Sequence, residues 1–192
     1  MTADGAISTR DELIDQATRL IETQGFCAFS YADLAERVGI RKPSIHHHFP
    51  AKADLGVAVV RRMHERMAGL WADLERGHAR VPDRVRAVFR HINDTAACGD
   101  RICPIGALQS EFNAVPEPVQ LALRGFADAY LETWTRWLDE GRRAGDLVFP
   151  GQPRAMAQIV VCVVQATLQR QRANAAESTP AALEQLERLL GL

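Results

Sequence analysis

Apolar residues recur at helical spacing along almost the whole chain, and the polar positions between them mark where each helix starts and stops. Thr9-Arg-Asp-Glu12 has the form of a capping box, with Thr9 as N-cap and Glu12 reaching back. Leu13, Ile14, Ala17, Leu20 and Ile21 follow as one apolar stripe, and Gly25 closes that helix. Ser30-Tyr-Ala-Asp33 has the same capping form and opens a short helix through Leu34, Ala35 and Val38 to Gly39. A third short helix is predicted from Lys42 to Phe49. Pro43 suits its first turn, where a missing N–H costs nothing, and Pro50-Ala51 breaks it.

A long helix is predicted from Lys52 to about Arg76, with Leu55, Val59, Met63, Met67, Leu70, Trp71 and Leu74 along one side. Gly77 and Pro82 separate it from a helix over Arg84 to Ala97. The polar loop from Cys98 to Pro104 leads into a helix from Ile105 to Asn113. Pro116 and Pro118 open a long helix ending near Gly145, and Pro150-Gly-Gln-Pro153 precedes another, Arg154 to Ala173. Ser178-Thr-Pro180 caps the last, whose apolar face is Leu183, Leu186, Leu189 and Leu190. Strand-like alternation is missing throughout. The expected fold is all-α, about nine helices: a three-helix N-terminal domain (9–55) and a C-terminal helical bundle (56–192).

The helices at 30–49 have the layout of a helix-turn-helix. Gly39 can take the left-handed conformation of the sharp turn, and Ala35 is small enough for close packing. Leu34, Val38, Ile40, Ile45 and Phe49 would form the small core. Arg41, Lys42, Ser44, His46, His47 and Lys52 are then left as polar groups able to face a groove and its phosphates. Charge qualifies this picture, since the net charge is −1 and the pI about 6.6. Between Arg37 and Lys52, however, lie Arg37, Arg41, Lys42, Lys52 and three histidines with no Asp or Glu. A local positive spot suffices for phosphate contact. The three consecutive histidines point about 100° apart on a helix, so no metal site is expected.

The stretch Phe29-Ser-Tyr-Ala-Asp-Leu-Ala-Glu-Arg-Val-Gly-Ile-Arg-Lys-Pro-Ser-Ile-His-His-His-Phe-Pro-Ala-Lys-Ala-Asp-Leu55 resembles the N-terminal domain of TetR-family transcriptional regulators. That resemblance implies a DNA-binding transcriptional repressor. By the same resemblance Ser30 would donate a hydrogen bond to a phosphate, and Lys42 and Ser44 would contact base edges or nearby phosphates. His46 and His47 would lie along the recognition helix, and Lys52 would anchor a phosphate. The family usually has Tyr where this chain has His46, whose ring can donate a similar bond, more strongly when protonated. Arg41 likewise replaces a small N-cap residue.

The resemblance also implies that the C-terminal half binds a small-molecule effector of unknown identity and forms a homodimer through the last two helices. The apolar run Ile159, Val160, Val163, Val164, Ala166, Thr167 and Leu168 agrees with the second role. The expected DNA partner is then double-stranded palindromic operator DNA, read by two heads about 34 Å apart. Pocket candidates are Met67, Trp71, His91, Cys103, Phe112, Trp134, Trp137 and Gln165, though aromatic and Met residues at helical spacing also make ordinary core. Cys103-Pro-x-Gly106, followed by Leu108 and Glu111, resembles one subgroup in which this segment starts the helix beside the ligand cavity. Cys98 and Cys103, five residues apart, offer an alternative function as a thiol-based redox-sensing regulator; a buried thiol at Cys103 and an incidental Cys98 is the other reading. No paired carboxylates with a nearby His and no Gly-rich phosphate loop emerge, so neither enzymatic activity nor a cofactor is expected. With no secretion signal and no apolar run of about 20 residues, the expected location is cytoplasmic, with no membrane partner.

Overall fold

The structure, a computed structural model, describes residues 8–97, 103–173 and 179–192. Among these residues there are nine helices and no strand. They are α1 (Thr9–Gln24), α2 (Tyr31–Val38), α3 (Lys42–His48), α4 (Lys52–Gly77), α5 (Val81–Ala97), α6 (Pro104–Ser110), α7 (Glu117–Arg143), α8 (Pro153–Ala173) and α9 (Thr179–Leu190). The all-α architecture expected from the sequence is the one observed, in the expected helix order.

The ends differ in detail. Ser8, rather than Thr9, caps α1: it is extended (φ −64, ψ 147) and its hydroxyl accepts the Asp11 N–H at 3.1 Å. Both residues head a possible capping motif, but it is the Ser8 hydroxyl that meets both the N–H and the carboxylate of Asp11. The expected cap at Ser178 lies outside the described residues.

Packing divides the chain into two compact units. One takes the chain up to Met63 together with Pro104–Arg124; the other takes His64–Cys103 with Gly125–Leu192. These units cut the chain differently from the division by role at residue 55, because residues 104–124 join the unit that holds the helix-turn-helix, with α6 packed on α1.

In the first unit, Leu13, Ile14, Leu20 and Ile21 of α1 are buried with Leu34, Ile45, Leu55 and Ile105. Helices as short as α2 and α3 are marginal alone and depend on such burial. In the second unit, Trp71, Trp134 and Trp137 meet edge to face at 5.0 to 5.9 Å between centroids. Trp134 and Trp137 are fully buried. Arg84, also buried, is fully occupied: it pairs with Glu140 at 3.0 Å and donates to the carbonyls of His78 and Ala79. A buried charge matched in this way avoids the cost of an unpaired ion.

Candidate nucleic-acid interface

The α2–α3 pair is built from local signals. Ser30 and Asp33 form a reciprocal capping box at the start of α2. Gly39, at φ 74 and ψ 29, ends it and returns its N–H to Ala35 at 2.9 Å. A side chain there would be strained by the left-handed backbone, which glycine tolerates. Three residues separate the end of α2 from α3, with Arg41 as an N-cap that makes no side-chain capping bond. Ile45 and Phe49 turn inward and are buried.

A tyrosine that sequence reasoning did not single out locks the pair. The Tyr31 hydroxyl, at the start of α2, donates to the Phe49 carbonyl at the end of α3 at 2.9 Å. Burial, with the Asp54 carboxylate adding to it, pushes this phenol up to about 12, so it remains a donor at all ordinary pH values. Its ring meets His46 edge on at 4.9 Å. His46 Nδ1 lies 3.2 Å from the Pro50 carbonyl, and its side chain is otherwise exposed.

The residues expected to contact DNA separate into two groups. Arg41, Lys42, Ser44, His46 and His47 are all exposed on or beside α3, while His48 is half-buried against His47. Ser30 and Lys52 are engaged internally. The Ser30 hydroxyl donates to Asp33 at 2.8 Å and accepts the Ala32 N–H. The Lys52 ammonium donates to the carbonyls of Phe26 and Phe29 and sits over both rings, 4.6 and 4.3 Å from their centroids. Burial lowers its pKa, partly offset by Cys27, Glu111 and Asp33.

The second unit holds a small cleft of about 70 Å3, lined by His64, Met67, Trp71, Phe126, Tyr130 and Thr133 among others. Two of the sequence-named pocket candidates, Met67 and Trp71, are therefore brought together there. Phe126, Tyr130 and Thr133 were missed, although their spacing along α7 marks them as one stripe. Burial pushes the Tyr130 phenol up to about 12, with the nearby Cys103 thiol adding to the shift. Cys103 itself is half-buried just before α6. Trp134 and Trp137 pack against Trp71 as core, His91 is exposed on α5, and Gln165 is half-buried on α8. Phe112 belongs to the first unit, beneath the Arg124 guanidinium at 5.3 Å. Cys98 lies outside the described residues.

A short α2, a glycine turn and an α3 with an exposed basic and polar face define a helix-turn-helix DNA-binding regulator. The sequence profile described as "Bacterial regulatory proteins, tetR family" matches residues 13–59. The chain is 32% identical to a solved TetR-family transcriptional regulator from Agrobacterium tumefaciens, over 94% of this chain and 97% of that one, with a TM-score of 0.89. The chain belongs to the TetR family. It is also 25% identical to the HTH-type transcriptional repressor NemR of Escherichia coli K12, over 95% of this chain and 94% of NemR. The crystal structure of reduced E. coli NemR shares the fold at a TM-score of 0.85, with 22% identity over 95% and 97% of the two chains. Among the described residues no helix is long and apolar enough to cross a membrane.

Proposed function

We propose that the protein is a ligand-responsive homodimeric repressor that binds a palindromic operator. The observation that carries the DNA contact is the exposed row Arg41, Lys42, Ser44, His46 and His47, held on α3 while Ile45 and Phe49 anchor it from beneath. His46 stands where the family commonly has Tyr. With an Nδ1–H donating to Pro50, protonation adds a second donor at Nε2. Ser30 and Lys52 act first as supports of the head, the one capping α2 and the other holding the turn before it. Selection of duplexes from a random-sequence pool tests this reading. Salt-sensitive, palindromic enrichment is expected, and enrichment of no sequence would defeat it.

Dimerisation is supported by an unpartnered apolar stripe on α8, in which Ala155, Ile159, Cys162 and Ala166 are all exposed at spacings of four, three and four. Leu189 of α9 is exposed as well. Ile159→Arg is expected to give a monomer by sedimentation, and the operator affinity falls with it.

Effector binding is supported by the aromatic cleft in the second unit. Its volume is well below the roughly 300 Å3 at which drug-sized pockets begin. An effector larger than a few atoms must open it, and the difference in affinity between closed and opened states supplies the coupling that weakens DNA binding. That opening would shift α4 and alter the separation of the two heads. A thiol-based reading rests on Cys103, half-buried just before α6, and on reduced NemR, which shares the fold. Peroxide-sensitive DNA binding that survives Cys98→Ser and Cys103→Ser would remove it.

A further inference from the structure

The turn between α1 and α2, residues 25–29, is gripped by two charged side chains from distant parts of the chain. On one side is the carboxylate of Glu111, one residue beyond the end of α6. It accepts the Phe26 N–H at 2.7 Å and the Cys27 N–H at 3.2 Å. Lys52, the first residue of α4, supplies the second grip by donating to the Phe26 and Phe29 carbonyls. Phe26 is therefore bonded through its N–H to an anion and through its carbonyl to a cation. Bonds to charged partners of this kind are the stronger class of hydrogen bond.

The turn is also shaped to admit Glu111. Gly25 has φ +93, and a side chain there would bring its Cβ within 2.4 Å of the Glu111 Oε1 atom. The carboxylate thus occupies the space that any other residue at position 25 would fill. Ser30, the cap of α2, begins one residue after the turn ends. The path and tilt of α2, and of α3 locked to it through Tyr31, start from a turn whose N–H groups find their acceptor at the end of α6. α6 itself packs on α1.

We propose that Glu111 is a positioning residue for DNA reading, tying α6 to the α1–α2 turn so that the presentation of α2 and α3 depends on where α6 stands. This rests on the DNA-binding function argued above and names the point at which α6 regulates it. Removing Glu111 leaves the N–H groups of Phe26 and Cys27 without their acceptor, and the turn must rearrange to satisfy them. Displacing α6 has the same effect without any mutation, because the carboxylate travels with it.

The sign of a mutational effect separates this role from simple electrostatics. Deleting an acidic side chain from a DNA-binding protein ordinarily relieves repulsion and tightens binding. Here Glu111→Ala is expected to weaken binding to the duplex selected by the wild-type chain, by about tenfold, as lost bonds to a charged acceptor lead one to expect. The slope of affinity against salt should stay unchanged, since no phosphate contact is lost, whereas Lys42→Ala should make it shallower. Amide exchange resolved by NMR should show Phe26 and Cys27 exchanging faster in Glu111→Ala than in wild type. Glu111→Gln, which keeps the size and one acceptor oxygen, should fall between the two in both readouts, and it decides the matter if the alanine variant does not fold. Unchanged or tighter DNA binding in the folded variants overturns the proposal, as do unchanged exchange rates at Phe26 and Cys27. If the wild-type chain selects no duplex, the DNA-reading conclusion itself falls and the positioning role with it, while the exchange rates still report whether the clamp exists.

Discussion

In the unit that carries α2 and α3, helices of eight and seven residues are held at their ends by directional bonds. Tyr31 reaches Phe49, Ser30 and Asp33 cap each other, and Lys52 and Glu111 grip the turn between α1 and α2. The unit that carries α8 and α9 is held differently, by a cluster around Trp71, Trp134 and Trp137 on helices of up to 27 residues. The contrast follows from length. Short helices bury too little area to define their own orientation, so bonds of fixed geometry must do so, and reading DNA needs that orientation. Long helices gain enough from apolar area, which has no direction and can repack around a ligand. The cleft beside Met67 and Trp71 lies on that adaptable side.

The comparison can be broken by mutation. Trp134→Ala should have the largest effect, lowering stability by about 3–5 kcal/mol as a fully buried aromatic is lost, measured by chemical denaturation. If it costs no more than a surface substitution, the second unit is not held by this cluster. Tyr31→Phe keeps the ring but strands the Phe49 carbonyl, for a loss of about 1–3 kcal/mol. Operator affinity should fall in this variant even where the chain remains fully folded, because α3 loses its tie to α2. Ser30→Ala should cost about 1 kcal/mol of stability through loss of the cap.

The smallest expected effect is at Glu75, in the second unit. Trp137 Nε1–H donates to its carboxylate at 2.7 Å and Arg136 lies at 2.6 Å, and these hold its pKa below the ordinary 4.5. A carboxylate depressed in the folded state contributes stability that is complete above its unfolded pKa. That stability is lost as pH falls through the folded value. The stability difference between wild type and Glu75→Gln should therefore be constant at neutral pH and shrink below pH 4.5. Because Glu75 is partly exposed, solvent screening keeps the difference small. A difference independent of pH would show that the Trp137 bond does not depend on the charge.

Much of the reading head was legible because its signals are local. The caps at Ser30 and Asp33, the glycine at 39, the proline after Lys42 and the alternation of Ile45 and Phe49 with polar residues act within four positions of one another. Such relations depend on helix geometry alone. The cap of α1 was misplaced by one residue because Ser8 and Thr9 carry the same local signal, and Ser8 is the one bonded to Asp11.

The amino-acid sequence by itself determined the helix order, the helix-turn-helix and the row Arg41, Lys42, Ser44, His46 and His47 that it presents. Tertiary structure alone decided what the charged residues around that row do. Lys52 lies in a window that reads as phosphate-binding, yet its ammonium is turned onto carbonyls 23 and 26 residues away. Glu111 belongs to the segment expected to start the helix beside the ligand cavity, yet its carboxylate meets N–H groups 84 and 85 residues upstream. The side chain of a lysine or glutamate is long, flexible and indifferent to its helix. Only the arrival of a distant partner selects where its charge will rest.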